Sequence, residues 1–485
     1  MFQSFDVPDY SAYVAVRLTA LRDMLAEWSL DAFLIPRGDE FRGEYVPPSA
    51  ERLAWLTGFT GSAGMAIVAA KRAVLFVDGR YTVQARGQVP GNLFEIIQSP
   101  PGRPQDWLTD ALAADATVGF DPWLHSLAEV EQLTEALKAR GLRLKAVSRG
   151  NPIDRIWGRD RPQPTENPVR VHPDDLAGAT AAAKIAEVRK DLAQAKHDAV
   201  VLTAPDSVNW LLNIRGSDIP HTPVVRAFAI VPARGKVELF VDPVRLDRAA
   251  KAHLKAVARI APPTDLARRL GELRQAGRRV RVAPASCNWW IVRRLGGPKK
   301  VARGPDPCLL PKAIKTDAEI QGTRAAHRRD GAAVCRFLAW LDREAPAGTV
   351  DEIAAARQLE TFRRQTNELK EISFDTISGS GPNGAIVHYR VTEDSNRKLQ
   401  PGELYLVDSG AQFRDATTDI TRTIAIGEPS EEMRDRFTRV LKGHIAIATA
   451  HFPEGTRGID LDPFARRALW DAGLDFDHGT GHGVG

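Results

Sequence analysis

From residue 16 onward the apolar positions of the chain change period in a fixed order. Val16 to Trp28 carries them at helical spacing, and Asp31-Ala-Phe-Leu-Ile is a short continuous apolar run of the kind a buried strand makes. After Trp55-Leu-Thr-Gly-Phe-Thr-Gly-Ser come two more strand-like runs, Ala66-Ile-Val and Val74-Leu-Phe-Val-Asp. The same order then returns as a helical stretch from Ala183 to Gln194, Asp198-Ala-Val-Val-Leu, Trp210-Leu-Leu-Asn-Ile-Arg-Gly-Ser, Ala229-Ile-Val and Val237-Glu-Leu-Phe-Val-Asp. Asp31 and Asp198 lie 167 positions apart, Trp55 and Trp210 155, Phe76 and Phe240 164, so the copies differ only in loop length. This pattern predicts a duplicated α/β domain. Neither copy holds a convergent set of catalytic groups, and Trp55 and Trp210 read as core residues rather than ligand platforms.

Turn formers divide the chain. Asn151-Pro-Ile-Asp-Arg-Ile-Trp-Gly-Arg-Asp-Arg-Pro-Gln-Pro-Thr-Glu-Asn-Pro has the composition of a boundary, and a second falls near Pro305 to Pro311. The expected domains are residues 1–152, 153–313 and 314–485. Thr316-Asp-Ala-Glu319 has the spacing of a capping box and announces a long helix; Thr349-Val-Asp-Glu352 repeats the signal for another.

The third part departs from the repeat. In Leu404-Tyr-Leu-Val-Asp408-Ser-Gly-Ala-Gln-Phe-Arg-Asp-Ala-Thr-Thr-Asp419-Ile-Thr-Arg-Thr-Ile-Ala-Ile, two apolar, β-branched runs flank a polar turn, which predicts a hairpin. A turn centred between Phe413 and Arg414 sets Asp408 and Asp419 directly opposite one another, with Cβ atoms about 4.5–5.5 Å apart. Two like charges on strands this apolar require that one protonate or that a cation sit between them, and a divalent metal is the economical answer. The alternative is that the aspartates cap turns; Asp415 is the natural turn residue, which leaves Asp408 and Asp419 for the metal.

Three histidines add to this. His478 and His482 stand four apart in Asp477-His-Gly-Thr-Gly-His-Gly-Val-Gly485, a helical metal-pair spacing, but Gly479, Gly481 and Gly483 each cost a helix about 1 kcal/mol. An irregular backbone points the two rings at different targets, so one reads as a ligand and the other as a substrate contact. His388 closes Ser378-Gly-Ser-Gly-Pro-Asn-Gly-Ala-Ile-Val-His388. Gly379 to Gly384 formally matches a dinucleotide fingerprint, but a strand-like Ala-Ile-Val-His-Tyr follows instead of a helix and Pro382 interrupts it, so the nucleotide reading is rejected. Glycines ahead of a strand that ends in histidine suit a loop that a substrate backbone approaches closely.

Composition narrows the classes. With 485 residues, 43% hydrophobic and 26% charged, the chain reads as an ordinary soluble globular protein of about two to four domains. Its net charge of +5, from 66 basic and 61 acidic residues, is too small and dispersed to indicate nucleic acid. Cys287, Cys308 and Cys335 are unevenly spaced, which argues against a disulfide framework or a cysteine zinc site and fits a reducing compartment. Met1-Phe-Gln-Ser-Phe-Asp-Val-Pro lacks the basic and apolar regions of a secretion signal, and no run approaches the ~18 apolar residues of a membrane span. A cytoplasmic location is expected.

Together these motifs resemble the pita-bread metallopeptidases, the family of methionine aminopeptidase, prolidase, creatinase and aminopeptidase P. Ile386-Val-His388-Tyr, Val407-Asp408-Ser-Gly-Ala, Thr418-Asp419-Ile-Thr-Arg-Thr and His478-Gly-Thr-Gly-His482-Gly-Val-Gly occur in the family's order. The likeness extends over nearly the whole chain. Phe59-Thr-Gly-Ser-Ala-Gly, Val77-Asp-Gly-Arg-Tyr81 and Arg215-Gly-Ser-Asp-Ile-Pro220 are similar to the three-domain, cytosolic type of aminopeptidase P. The fold class implied is α/β and α+β: two creatinase-type α/β domains followed by a pita-bread domain, partial at its end.

The resemblance makes Asp408 a ligand to one metal, Asp419 the bridge between two, and His482 a ligand to the other. His388 then stabilises the tetrahedral intermediate and His478 contacts substrate near the scissile bond. Two divalent ions are implied, with Mn²⁺ the best match to an oxygen-rich set and Zn²⁺ or Co²⁺ as alternatives. They make a nucleophile from water at neutral pH and polarise the peptide carbonyl. The activity implied is that of an Xaa-Pro aminopeptidase acting on peptides with proline at the second position, in a homodimer. A prolidase-like dipeptidase is the alternative enzyme. From another class comes a metal-free peptide or protein binder, disfavoured because all three ligand positions are kept. The family places two further glutamate ligands beyond the glycine-rich histidine stretch, and the sequence stops before them. The expectation is a fragment that binds Mn²⁺ weakly, lacks peptidase activity and aggregates, its continuation carrying two glutamates and a further histidine.

Overall fold

The computed structural model describes residues 2–6 and 10–483, and the chain divides into two compact units. Val484 and Gly485, the end of the glycine-rich run, lie outside the described residues. One unit, residues 10–78 and 85–322, contains two six-stranded sheets. In the first the spatial order is Glu95–Gln98, Ala73–Val77, Met65–Ala69, Ala32–Pro36, Thr117–Phe120, Arg143–Ala146. The second runs Ala258–Ala261, Val237–Phe240, Phe228–Pro232, Ala199–Leu202, Val280–Val282, Ala302–Arg303. Each pairs its first strand antiparallel to the second and parallel to the fifth. The duplication read from the sequence is therefore a duplication of topology.

Matching residues do matching work. Asp31 Oδ2 accepts from the Thr117 amide at 2.7 Å, and Asp198 Oδ2 from the Arg279 amide at 2.7 Å, each tying the entry of the first strand to that of the fifth. The continuous apolar runs are buried on both faces: Phe33, Leu34, Ile67, Val74 and Leu75 are fully enclosed, as are Ile230, Val237 and Leu239. Burial of each such large side chain contributes about 1.5–3 kcal/mol. Trp55 is buried and stacks on Trp157, and Trp210 packs against the second core, both as core residues. The two copies meet at equivalent corners. Ser126, which caps Leu127–Lys138, bridges to Asn288, which caps Trp289–Arg294, and Trp123 stacks on Trp290 at 4.0 Å.

The other unit contains residues 323–483 with the short segments 2–6 and Gly79–Gln84. Its sheet orders Ile377–Ser380, Glu403–Ser409 and Ile420–Ile426 antiparallel, and two helices, Glu431–Ala448 and Gly458–Trp470, follow. Strand 403–409 alternates. Tyr405 and Val407 enter a core with Phe337, Leu341 and Leu359, while Leu404, Leu406 and Asp408 occupy the opposite, half-buried face.

Three local expectations change. The hairpin turn centres on Arg414–Asp415, because the Phe413 amide donates to the Ala416 carbonyl at 2.9 Å, so Asp408 faces Thr421 rather than Asp419. Asp415 is the turn residue, as expected, and both its oxygens are held by Arg329, which fixes the turn where it is. The segment before His388 is a 3₁₀ turn, Gly381–Ala385, followed by further turns instead of a strand. The Thr316–Glu319 capping box forms, but at the second signal Asp351 caps helix Glu352–Arg364, which leaves Glu352 for another use.

Candidate functional site

Asp408 stands near the end of an apolar strand, and its carboxylate is largely withdrawn from water. Its Oδ1 is buried without a hydrogen-bond partner. Burial pushes its pKa up to about 6; the Asp419 charge adds to the rise, and the Thr421 hydroxyl and His482 oppose it. The true register places Asp408 opposite Thr421, and Asp419 stands two residues before Thr421, just ahead of the partner strand. The two carboxylates remain neighbours, close enough to share a hydrogen bond. His482 Nε2 lies 3.2 Å from Asp419 Oδ2. Its pKa is raised, first by the hydrogen bond to the Gly483 carbonyl and then by the charges of Asp419 and Asp408.

The donor chemistry fits a divalent cation: two carboxylates that repel each other, one buried oxygen lacking a partner, and an imidazole facing the second carboxylate. Among the described residues no group of three or more His, Cys, Asp or Glu side chains is closed up as a metal site. His482 is 77% exposed at its side chain, so it approaches from the solvent side.

A buried ion pair supports the carboxylate face. Arg363 and Asp330 form a two-pronged pair at 2.7 and 3.0 Å. Asp330 Oδ2 also accepts from the Thr418 hydroxyl at 2.8 Å, and Arg363 donates to the Gly410 carbonyl. The residues directly after Asp408–Ser409 and before Asp419 are thereby held together. Gly410 has no room for a side chain: a Cβ would lie 2.0 Å from the Thr418 carbonyl oxygen.

His388 is anchored from beneath. The enclosed Glu352 carboxylate accepts from the amides of Ser380 and Arg397, the Asn383 side chain and the Tyr389 hydroxyl, at 2.7–3.2 Å. That network braces the turns from 381 to 397 that carry His388. Its ring Nδ1 is 2.6 Å from the Tyr81 hydroxyl, with the rings edge to face. Tyr81 is fully buried and belongs to the Val77-Asp-Gly-Arg-Tyr81 phrase. Two residues earlier, a Cβ on Gly79 would meet Asp477 Cβ at 2.6 Å, so one short segment touches His388 and the residue before His478.

The backbone from 477 to 483 is not helical, as the glycines predicted. His482 turns to Asp419, while the His478 ring packs beside Phe476 and its Nδ1 lies 2.9 Å from the Gly479 carbonyl. The structure thus brings Asp408, Asp419 and His482 into one neighbourhood and gives His388 and His478 separate supports. Sequence reasoning missed Tyr81, Glu352, Asp330 and Arg363. Tyr81 and Glu352 stood in singled-out phrases, but nothing in the spacing pointed from Tyr81 to a histidine 307 positions away or from Glu352 to the donors that enclose it.

Residues 17–156 and residues 160–319 each match the creatinase/prolidase N-terminal domain, and residues 321–485 match metallopeptidase family M24. A probable Xaa-Pro aminopeptidase P of Aspergillus fumigatus is 41% identical over 480 residues, covering 97% of this chain and 73% of its own length. The crystal structure of X-prolyl aminopeptidase from Caenorhabditis elegans, described as a cytosolic enzyme with a di-nuclear active site, superposes with a TM-score of 0.92. It is 36% identical, over 97% of this chain and 80% of that one. An Xaa-Pro dipeptidase from Bacillus anthracis shares the fold over 63% of this chain and 82% of its own, with a TM-score of 0.51 and 23% identity.

Proposed function

We propose the activity of this chain from the family to which it belongs, the Xaa-Pro aminopeptidase P group of the M24 metallopeptidases: it hydrolyses the N-terminal peptide bond that precedes a proline. The observation that carries the reading at the site is the meeting of Asp408, Asp419 and His482, with a buried carboxylate oxygen left unpartnered. These three, Asp408, Asp419 and His482, would hold the two divalent ions, Mn²⁺ in preference to Zn²⁺ or Co²⁺. When bound, such ions supply Lewis acidity and a nucleophile from water at neutral pH.

The chain's own residues do the rest. Thr421 orients the Asp408 carboxylate. A Tyr81 hydroxyl that donates to His388 Nδ1 leaves the proton on Nε2, so His388 presents an N–H donor to the oxygen of the scissile carbonyl as it gains negative charge. His478, on its own backbone segment, contacts the substrate beside that bond. No described helix is long and apolar enough to cross a membrane, and the worm relative is cytosolic, which supports a cytoplasmic enzyme. A homodimer is part of the same reading, as are the domain limits 1–152, 153–313 and 314–485.

With Mn²⁺ supplied, the protein is expected to cleave Xaa-Pro-Xaa tripeptides and leave Xaa-Ala-Xaa largely uncut, because a pocket shaped for a ring gains little from a methyl group. Equal rates on the two would overturn the proline reading. Faster cleavage of Xaa-Pro dipeptides than of tripeptides would move the assignment to a prolidase.

A further inference from the structure

Phe2-Gln-Ser-Phe-Asp6 belongs to the unit that carries Asp408 and His388. The segment is neither helix nor strand, yet its side chains alternate: Gln3 and Phe5 are buried, while Phe2, Ser4 and Asp6 are exposed. It is held at three places.

The first is a carboxylate. Glu360, on helix Glu352–Arg364, is 3% exposed, and its two oxygens accept from the Phe2 amide at 2.9 Å and the Gln3 amide at 3.4 Å. The second is the main chain just ahead of strand Ile377–Ser380. The Gln3 side chain donates to the Thr376 carbonyl at 3.1 Å and accepts from the Thr376 amide at 3.0 Å, so one side-chain amide supplies both bonds that a neighbouring strand would make. The third is apolar. Phe5 shares a core cluster with Ile353, Ile377, Tyr389 and Val391, against which Ile386 packs. Arg357 lies over the Phe5 ring at 5.1 Å and reaches Glu393 at 3.6 Å.

These contacts bracket His388. Ile386 precedes it by two residues, Tyr389 follows it, and Val391 and Glu393 continue the same run of turns. Tyr389 also donates to Glu352, the carboxylate on which those turns are braced. The apolar cluster and the Glu352 network thus meet at Tyr389, and Phe5 bears on the turns through that cluster. A tail that only lay on the surface would need neither a buried carboxylate nor a paired amide to receive it.

We propose that Gln3 and Phe5 are positioning residues for His388. Residues 2–6 act as a strap, and the groove that receives them holds the turns 381–397 in place only while the strap is seated. The effect on catalysis rests on the role of His388 proposed above; the effect on the turns does not.

Hydrogen exchange read by mass spectrometry on the full chain in EDTA tests the hold. Phe5→Ala and Gln3→Ala should each speed exchange of residues 377–397 at least about tenfold and leave strands Met65–Ala69 and Phe228–Pro232 as in the parent. Ser4→Ala, at an exposed strap position, should exchange as the parent does. In a chain lacking residues 2–6, acetyl-Phe-Gln-Ser-Phe-Asp-amide at about millimolar concentration, the order that tethering gives it, should restore protection saturably. The same peptide carrying Phe5→Ala should not. With Mn²⁺ supplied, Phe5→Ala should lower kcat by about tenfold to a hundredfold with KM and metal content unchanged, and Phe5→Leu should recover most of it. Exchange of 377–397 unchanged by both substitutions, or raised equally in the other unit, would overturn the proposal. So would failure of the peptide to restore protection, or a rise in KM with kcat unchanged. Faster exchange of 377–397 in the variants of a parent that has no peptidase activity would support the strap and overturn the peptidase reading instead.

Discussion

Replacing Asp408 by asparagine should stabilise the metal-free protein while destroying its affinity for divalent ions. The two effects have one origin. Asp408 is a buried carboxyl beside Asp419, with one oxygen unpartnered and a pKa pushed up to about 6 from 3.8. Because the folded value lies above the unfolded one, the native state binds more protons between about pH 4 and pH 6. Stability from this group is then fully present below pH 4 and lost as pH rises through 6. The difference is worth at most about 3 kcal/mol at pH 8, at 1.36 kcal/mol for each pH unit. Asparagine retains an oxygen for the Thr421 hydroxyl, carries no charge and offers Asp419 an amide donor. In EDTA, amide exchange of strands 403–409 and 420–426, read by mass spectrometry, should therefore be slower in the variant at pH 8 and nearly equal at pH 4 after correction for intrinsic rates. Adding Mn²⁺ should slow exchange in the parent and leave the variant unchanged. A variant less protected than the parent at pH 8, or a difference that does not change with pH, would refute the account of repelling, desolvated carboxylates.

The remaining predictions concern the groups around that face. His388→Ala should retain metal content, measured by plasma emission, and lower kcat by about 10²–10³, while Tyr81→Phe should lower it by about tenfold with metal and KM unchanged; loss of metal in either would show that the histidine is a ligand. Asp330→Ala should cost about 3–5 kcal/mol in urea unfolding because Arg363 is left charged and unpaired in the interior, and Asp330→Ala combined with Arg363→Met should recover part of it. An Asp330→Ala loss within 1 kcal/mol would mean that Arg363 finds solvent.

What was legible in the sequence was whatever depends on near neighbours along the chain. Strand runs, helix periods and the order in which they recur set the two sheets, because burial on both faces of a strand writes itself as a continuous apolar run and a repeat of elements becomes a repeat of strand order. The glycines around His478 and His482 excluded a helix for a similarly local reason. The hairpin itself was readable, but not its register: alternation is satisfied equally by turns centred at 413–414 or 414–415, and the choice was made by Arg329, a residue on a distant helix that holds Asp415. Glu352 could not be placed by its capping spacing, since Asp351 took the cap and the carboxylate was drawn inward by donors from 380, 383, 389 and 397. Tyr81 meets His388 across 307 positions, and Asp330 meets Arg363 across 33. Such pairings leave no periodic trace in the sequence, because they depend on packing that brings distant segments within hydrogen-bond reach, and only the tertiary structure decides them.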